Sequence, residues 1–179
     1  MNMQPAPLQP VIDAGRFDLR PLRPEDEGPM SLCAGDARVA AMTRSIPHPM
    51  PPGAVAALIA RAGAAGRSSD TWVMDAARCG GASFMGLIEL TPIDTGQSEV
   101  FFWVAPAFWN AGVASQALTA LIAANPHGAK TLFAEVFQDN PASARVLTNA
   151  GFQYLGDAET YSVARGGQVA TWTYTRNLT

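Results

Sequence analysis

Cysteine and histidine are nearly missing from this sequence: two of each in 179 residues, Cys33, Cys79, His48 and His127. Two separated cysteines make no disulfide framework, and none of the four has the clustered neighbours of a metal site, so no metal is expected. Charge is sparse as well, 15% of residues with a net charge of −3. No run of Lys or Arg offers the concentrated basic face that nucleic acid requires. No stretch reaches the roughly 20 consecutive apolar residues that span a bilayer, and "MNMQPAPLQPVIDAG" lacks the basic and apolar regions of a secretory signal. These absences describe a protein of the reducing cytoplasm with no nucleic-acid or membrane partner. What is present is an apolar fraction of 48%, enough at this length for one full core. Residues 16–179 are read as a single domain behind a loose tail over 1–15.

Residues 16–22 alternate as a strand. Residues 23–42 open on Pro24 and acidic side chains, a favourable helix start. Pro47, Pro49, Pro51 and Pro52 impose an ordered loop, and 54–66 reads as a second helix ending at glycine. Strands over 70–77 and 82–93 flank the turn glycines of "RCGG", and the aromatic strand over 98–106 is stopped by Pro106. A helix over 112–125 carries the stripe Val113, Ala117, Leu118, Leu121 and Ile122. There follow a strand over 130–137, a helix with Asn140 as N-cap, Pro141 at its first position and Gly151 at its stop, and strands over 152–159 and 168–178. The order β-α-α-β-β-β-α-β-α-β-β predicts an α/β fold, α+β in the stricter sense. It is a twisted, mostly antiparallel sheet of about seven strands with four helices, and residues 98–137 can form one parallel pair. The order is not the repeated alternation of a doubly wound dinucleotide fold.

"WNAGVAS" stands where a strand gives way to a helix. The first N–H groups of a helix have no internal partners and carry partial positive charge, so phosphate is a natural occupant. Gly112 lets the backbone approach a ligand or adopt a positive φ, and Ala111 and Ala114 keep that approach open. Neither GxGxxG nor GxxxxGK[ST] is present. With no Lys or Arg in the loop, an anion here would rest on backbone alone.

"SEVFFWVAPAFWNAGVASQAL" followed by "KTLFAEVFQDNPASARVLTNAGFQYLG" resembles the GNAT family of N-acetyltransferases, and more narrowly its RimJ/RimL-like branch of ribosomal-protein-alanine N-acetyltransferases. The matching positions are Glu99, Trp103, Pro106, Trp109, Gly112, Ala114 and Ala117, then Asn140, Ser143, Val146, Leu147, Gly151 and Phe152. "SIPHPMPP" is similar to the branch's proline-rich loop. Three positions depart from the pattern: Asn110 replaces the usual first glycine, Ala111 a common basic residue, and Leu147 a tyrosine found in other members.

The resemblance implies acetyl-CoA as cofactor and an amine as acceptor. The pyrophosphate would lie on the backbone of Asn110, Ala111, Gly112, Val113, Ala114 and Ser115, and the pantetheine arm along Phe102, Trp103 and Val104, where the two central parallel strands of the family splay. Trp109 would wall the channel, and Asn140 would serve as N-cap and cofactor partner together. Glu99, one carboxylate on an apolar strand, is the candidate general base through a water; Glu89 competes for that role or lines the acceptor site. Ser143 is the candidate proton donor to the thiolate, which with a thiol pKa near ~8.5 leaves with little help. Arg44, and His48 beside it, would border the acceptor opening. The acceptor implied is a protein N-terminal amine. A small-molecule amine (amino acid, polyamine or antibiotic) and a non-catalytic acyl-CoA-binding module are the alternatives, and a homodimer is left open.

Overall fold

The computed structural model describes residues 8–178. In chain order these form β1 (Ile12–Asp13), β2 (Asp18–Pro21), α1 (Glu27–Ala34), α2 (Ala37–Ala40), α3 (Ala54–Ala62), β3 (Asp70–Asp75), β4 (Gly86–Asp94) and β5 (Gln97–Val104). They continue as α4 (Val113–Ala124), β6 (Thr131–Phe137), α5 (Pro141–Asn149), β7 (Gln153–Ser162) and β8 (Gly167–Asn177). One sheet runs β1-β2-β3-β4-β5-β6-β8-β7. Every neighbouring pair is antiparallel except β5–β6, the parallel pair expected within 98–137.

The described residues thus hold eight strands and five helices, where the sequence predicts about seven and four. The extra strand comes from the segment read as tail. Ile12 and Ala14 are buried in the core, and Trp72 Nε1 donates to the Pro10 carbonyl at 2.8 Å. Part of the expected tail is therefore anchored to the sheet through Pro10, Ile12 and Ala14; residues 1–7 of it lie outside the described residues. The extra helix arises because the stretch 23–42 is broken. A 3-10 turn over Pro24–Asp26 leads into α1, which ends at Gly35, and the Asp36 side chain accepts the Arg38 N–H at 2.8 Å to start α2 anew. Asp36 prefers a cap to a helix interior, so the chain turns there.

Alternation along the strands divides the core in two. On one face Val113, Ala117, Leu118 and Leu121 of α4, with Ala144 and Leu147 of α5, pack on Ile88, Val100 and Leu132. On the other, Met30, Val39, Val55 and Ile59 from α1–α3 pack on Val73, Leu87 and Trp103. The α4 stripe is the one its periodicity predicts. Gly86 lets β4 lie close on β5: a Cβ there would collide with the Trp103 carbonyl and with Val104 Cα.

A buried ion cluster ties the start of the sheet to the loop before α1. Arg20 donates to both oxygens of Asp26 at 2.9 and 2.7 Å and to Asp75 at 2.6 Å, and all three residues are buried. Burial pushes the Asp75 carboxyl up, but the Arg20 hydrogen bond, the Ala77 N–H and the Arg20 charge together hold it below its ordinary value. A depressed folded-state pKa means stability that is complete above the unfolded value, near ~3.9, and lost as pH falls through the folded value. Replacing Asp75→Asn is expected to cost about 3 kcal/mol at pH 7, and the gap to wild type should close in chemical denaturation below about pH 4.

Candidate active site

β5 pairs with β4 from Gly86↔Val104 to Asp94↔Gln97, and β6 pairs with β8 along Thr131–Phe137. Between β5 and β6 only three pairs form: Gln97↔Thr131, Ser98↔Leu132 and Glu99↔Phe133. Beyond Glu99 the two strands part. Val100–Val104 therefore present a sheet edge with no strand opposite among the described residues, and its alternate N–H and C=O groups need other partners. An extended molecule bearing amides can pair with such an edge.

The end of this edge feeds the loop into α4. Pro106 stops the strand, and Trp109 Nε1 closes on the Val104 carbonyl at 2.7 Å. Asn110 and Gly112 take left-handed φ values of 59° and 74°. Gly112, the N-cap of this twelve-residue helix, has no side chain to cap it, so the first N–H groups suit an anion. A cation stands beside them after all: Arg16 Nη2 donates to the Ala111 carbonyl at 2.9 Å and Nε to Gln116 Oε1 at 2.8 Å. The loop residues themselves show no trace of Arg16, which arrives from 95 positions away.

On the opposite face, which carries α1–α3, the carboxylates gather. Glu99 accepts from the Arg44 guanidinium. Arg44, expected to border the acceptor opening, is paired to the candidate base. Its loop is held by the β7–β8 turn, where Val163 N–H donates to the Arg44 carbonyl at 3.0 Å. Glu89 accepts from the Thr71 hydroxyl at 3.0 Å. It faces a cavity of ≈ 80 Å³ shared with Arg44, Ile46, Leu58, Phe101 and Trp103. The Trp103 side chain is 7% exposed and packs 5.9 Å from Phe84, centroid to centroid, in the second core. Trp109 is exposed at 43% with the Arg38 guanidinium 5.5 Å over its ring.

Glu135 of β6 belongs to the same cluster, and the sequence reading does not single it out. Burial, above all, pushes its carboxyl above the ordinary value; Arg44 opposes that, Glu99 adds to it, and the Thr160 hydroxyl opposes it. The signal that could have found it is the one applied to Glu99, a lone acid within an alternating apolar strand. At the start of α5, Asn140 Oδ1 accepts the Ser143 N–H at 3.4 Å and Nδ2 donates to Ser143 Oγ at 3.0 Å. The N-cap role is therefore occupied, and Ser143 keeps its own hydroxyl hydrogen to donate. Leu147 is fully buried, so no phenol stands at that position. Among the described residues no group of three or more His, Cys, Asp or Glu could hold a metal, and no helix is long and apolar enough to cross a membrane.

The microcin C7 self-immunity acetyltransferase MccE, solved with acetyl-CoA and AMP, superposes with a TM-score of 0.77 over 91% of this chain and 93% of its own, at 12% identity. RimL, a ribosomal L7/L12 alpha-N-protein acetyltransferase solved with coenzyme A, gives 0.76 over 94% and 98%, at 14% identity. Spermidine N-acetyltransferase from Vibrio cholerae, solved with CoA and spermine, gives 0.71 over 88% and 94%, at 16% identity. No curated protein sequence matches this chain significantly. The model of the acetyltransferase (GNAT) domain matches residues 16–153. That match covers most of the sequence, and the chain belongs to the GNAT acetyltransferase family.

Proposed function

We propose that this protein transfers the acetyl group of acetyl-CoA to a primary amine by direct attack. The observation that carries the reading is the opening between β5 and β6, with the uncapped start of α4 at its end. The donor set fits the cofactor. Backbone N–H groups over 110–115 suit a pyrophosphate, Arg16 adds positive charge beside them, and the Val100–Val104 edge suits the pantetheine amides. When bound, acetyl-CoA supplies an activated acyl group and a thiol leaving group. An N–H of that edge near Trp103 or Val104 serves as donor to a carbonyl oxygen. The carboxylates on the Arg44 face take the ammonium proton, and the Ser143 hydroxyl serves the departing sulfur. Cys33 and Cys79 are both free thiols, which supports a reducing, cytoplasmic setting.

For the acceptor we favour a protein N-terminal amine, as in the RimJ/RimL-like branch. The small, largely apolar cavity beside Glu89 and Phe101 suits the compact side chain of a first residue. A polyamine is the second reading, favoured by the three carboxylates Glu89, Glu99 and Glu135 gathered about Arg44.

A thiol-release assay over short peptides and polyamines, with mass spectrometry of products, tests both. Turnover of peptides with a compact first residue is the expected result. Preference for spermidine overturns the first reading in favour of the second, and absence of turnover with every amine overturns transfer itself. Replacing Arg16→Ala should weaken acetyl-CoA binding about fivefold by calorimetry and leave kcat unchanged. Glu99→Gln frees Arg44 at the mouth, so the amine KM should rise about tenfold, with a smaller loss in kcat.

A further inference from the structure

Glu99 and Phe133 form the last pair between β5 and β6, so Glu135, two residues on, shares their face and stands on the wall of the opening. Its register partner on β8 is Thr173. Three buried side-chain polar atoms among the described residues have no hydrogen-bond partner, and two of them are Glu135 Oε1 and Thr171 Oγ1. Thr171 lies opposite Phe137, and that register puts both atoms on this same face. A buried carboxylate oxygen without a partner is costly for folding alone. Glu99, by contrast, is engaged by Arg44. The Arg44 loop does not swing freely, because the β7–β8 turn holds it at Val163 and Arg165 Nε donates to the Ala41 carbonyl at 2.7 Å.

We propose that Glu135 is the general base of the transfer, with the Glu99–Arg44 pair as the positioning element beside it. The assignment rests on the acetyl-transfer reading above. In the step, a substrate R–NH3+ gives one proton to the Glu135 carboxylate, leaving a carboxylic acid and a neutral amine. The amine nitrogen forms the C–N bond to the acyl carbon as the C–S bond breaks, and the bonding pair departs with sulfur. A second nitrogen proton passes to that sulfur, so amide and thiol result, and Glu135 returns its proton to solvent. The groups that act on Glu135 are Arg44 from the loop before α3, Glu99 from β5 and the Thr160 hydroxyl from β7. Its elevated proton affinity suits a base that works near neutrality.

The test compares Glu135→Gln and Glu99→Gln in the full chain, with an amine acceptor identified by the thiol-release assay. Glu135→Gln should lower kcat at pH 7 about 100-fold while acetyl-CoA affinity by calorimetry stays within about twofold. The acid limb of the kcat/KM profile should persist in Glu99→Gln and vanish in Glu135→Gln. Glu135→Asp should recover at least about tenfold over Gln, and it keeps the test open if Gln impairs folding. In the free protein, infrared titration should show a protonated carboxyl persisting above the ordinary glutamate range, absent from Glu135→Gln. Turnover of Glu135→Gln within about threefold of wild type, or an acid limb that survives in it, overturns the assignment. Wild-type protein that neither binds acetyl-CoA nor releases thiol overturns acetyl transfer itself, and this assignment with it.

Discussion

The separation of β5 from β6 after three residue pairs is the constraint on which the site depends. Each strand is otherwise fully committed, β5 to β4 and β6 to β8, so the sheet stays continuous while its centre opens. An unpaired edge in mid-sheet is a liability for a fold that seeks only stability. Here both helices that follow the splayed strands, α4 and α5, begin at the open ends. A backbone anion cradle and the Asn140–Ser143 pair are thereby delivered to one gap from two different elements.

The opening also sorts chemistry by face. Alternation sends Val100 and Leu132 into the core under α4 and α5, and turns Glu99, Phe101 and Glu135 toward α1–α3. A chain with so few charges gathers three carboxylates about the Arg44 guanidinium. Burial disfavours the ionised form of Glu135, while Glu99 beside it is paired with Arg44. Two nearby groups with different environments can divide the work of binding and proton transfer. The Arg20–Asp26–Asp75 cluster instead fastens the first long strand pairing to the entry of α1.

Much of this architecture is legible as local pattern. The α4 stripe, the strand alternation, the Asn140–Pro141 start and the positive φ at Gly112 each depend on residues within a turn or two, and each reads directly from spacing. Ile12 falls within an expected tail because a two-residue strand has no period to detect. The 23–42 stretch reads as one helix because its composition is helical on both sides of Gly35, while the break rests on one Asp36 cap. Glu135 escapes notice because the alternation of "KTLFAEVF" signals a strand and its single acid fits a half-exposed face equally well.

The sequence by itself determined the α/β class, the parallel pair within a mostly antiparallel sheet, the glycine-led helix start and the family resemblance. These follow from short-range backbone preference and side-chain periodicity, which need no knowledge of distant residues. Only the tertiary structure decided that Arg16 stands at the start of α4, that Arg44 engages Glu99, and that burial raises the Glu135 carboxyl above its ordinary value. Those outcomes join residues 95 and 55 positions apart and depend on burial. Electrostatic roles are set by what surrounds a group in space, and no spacing along the chain encodes that.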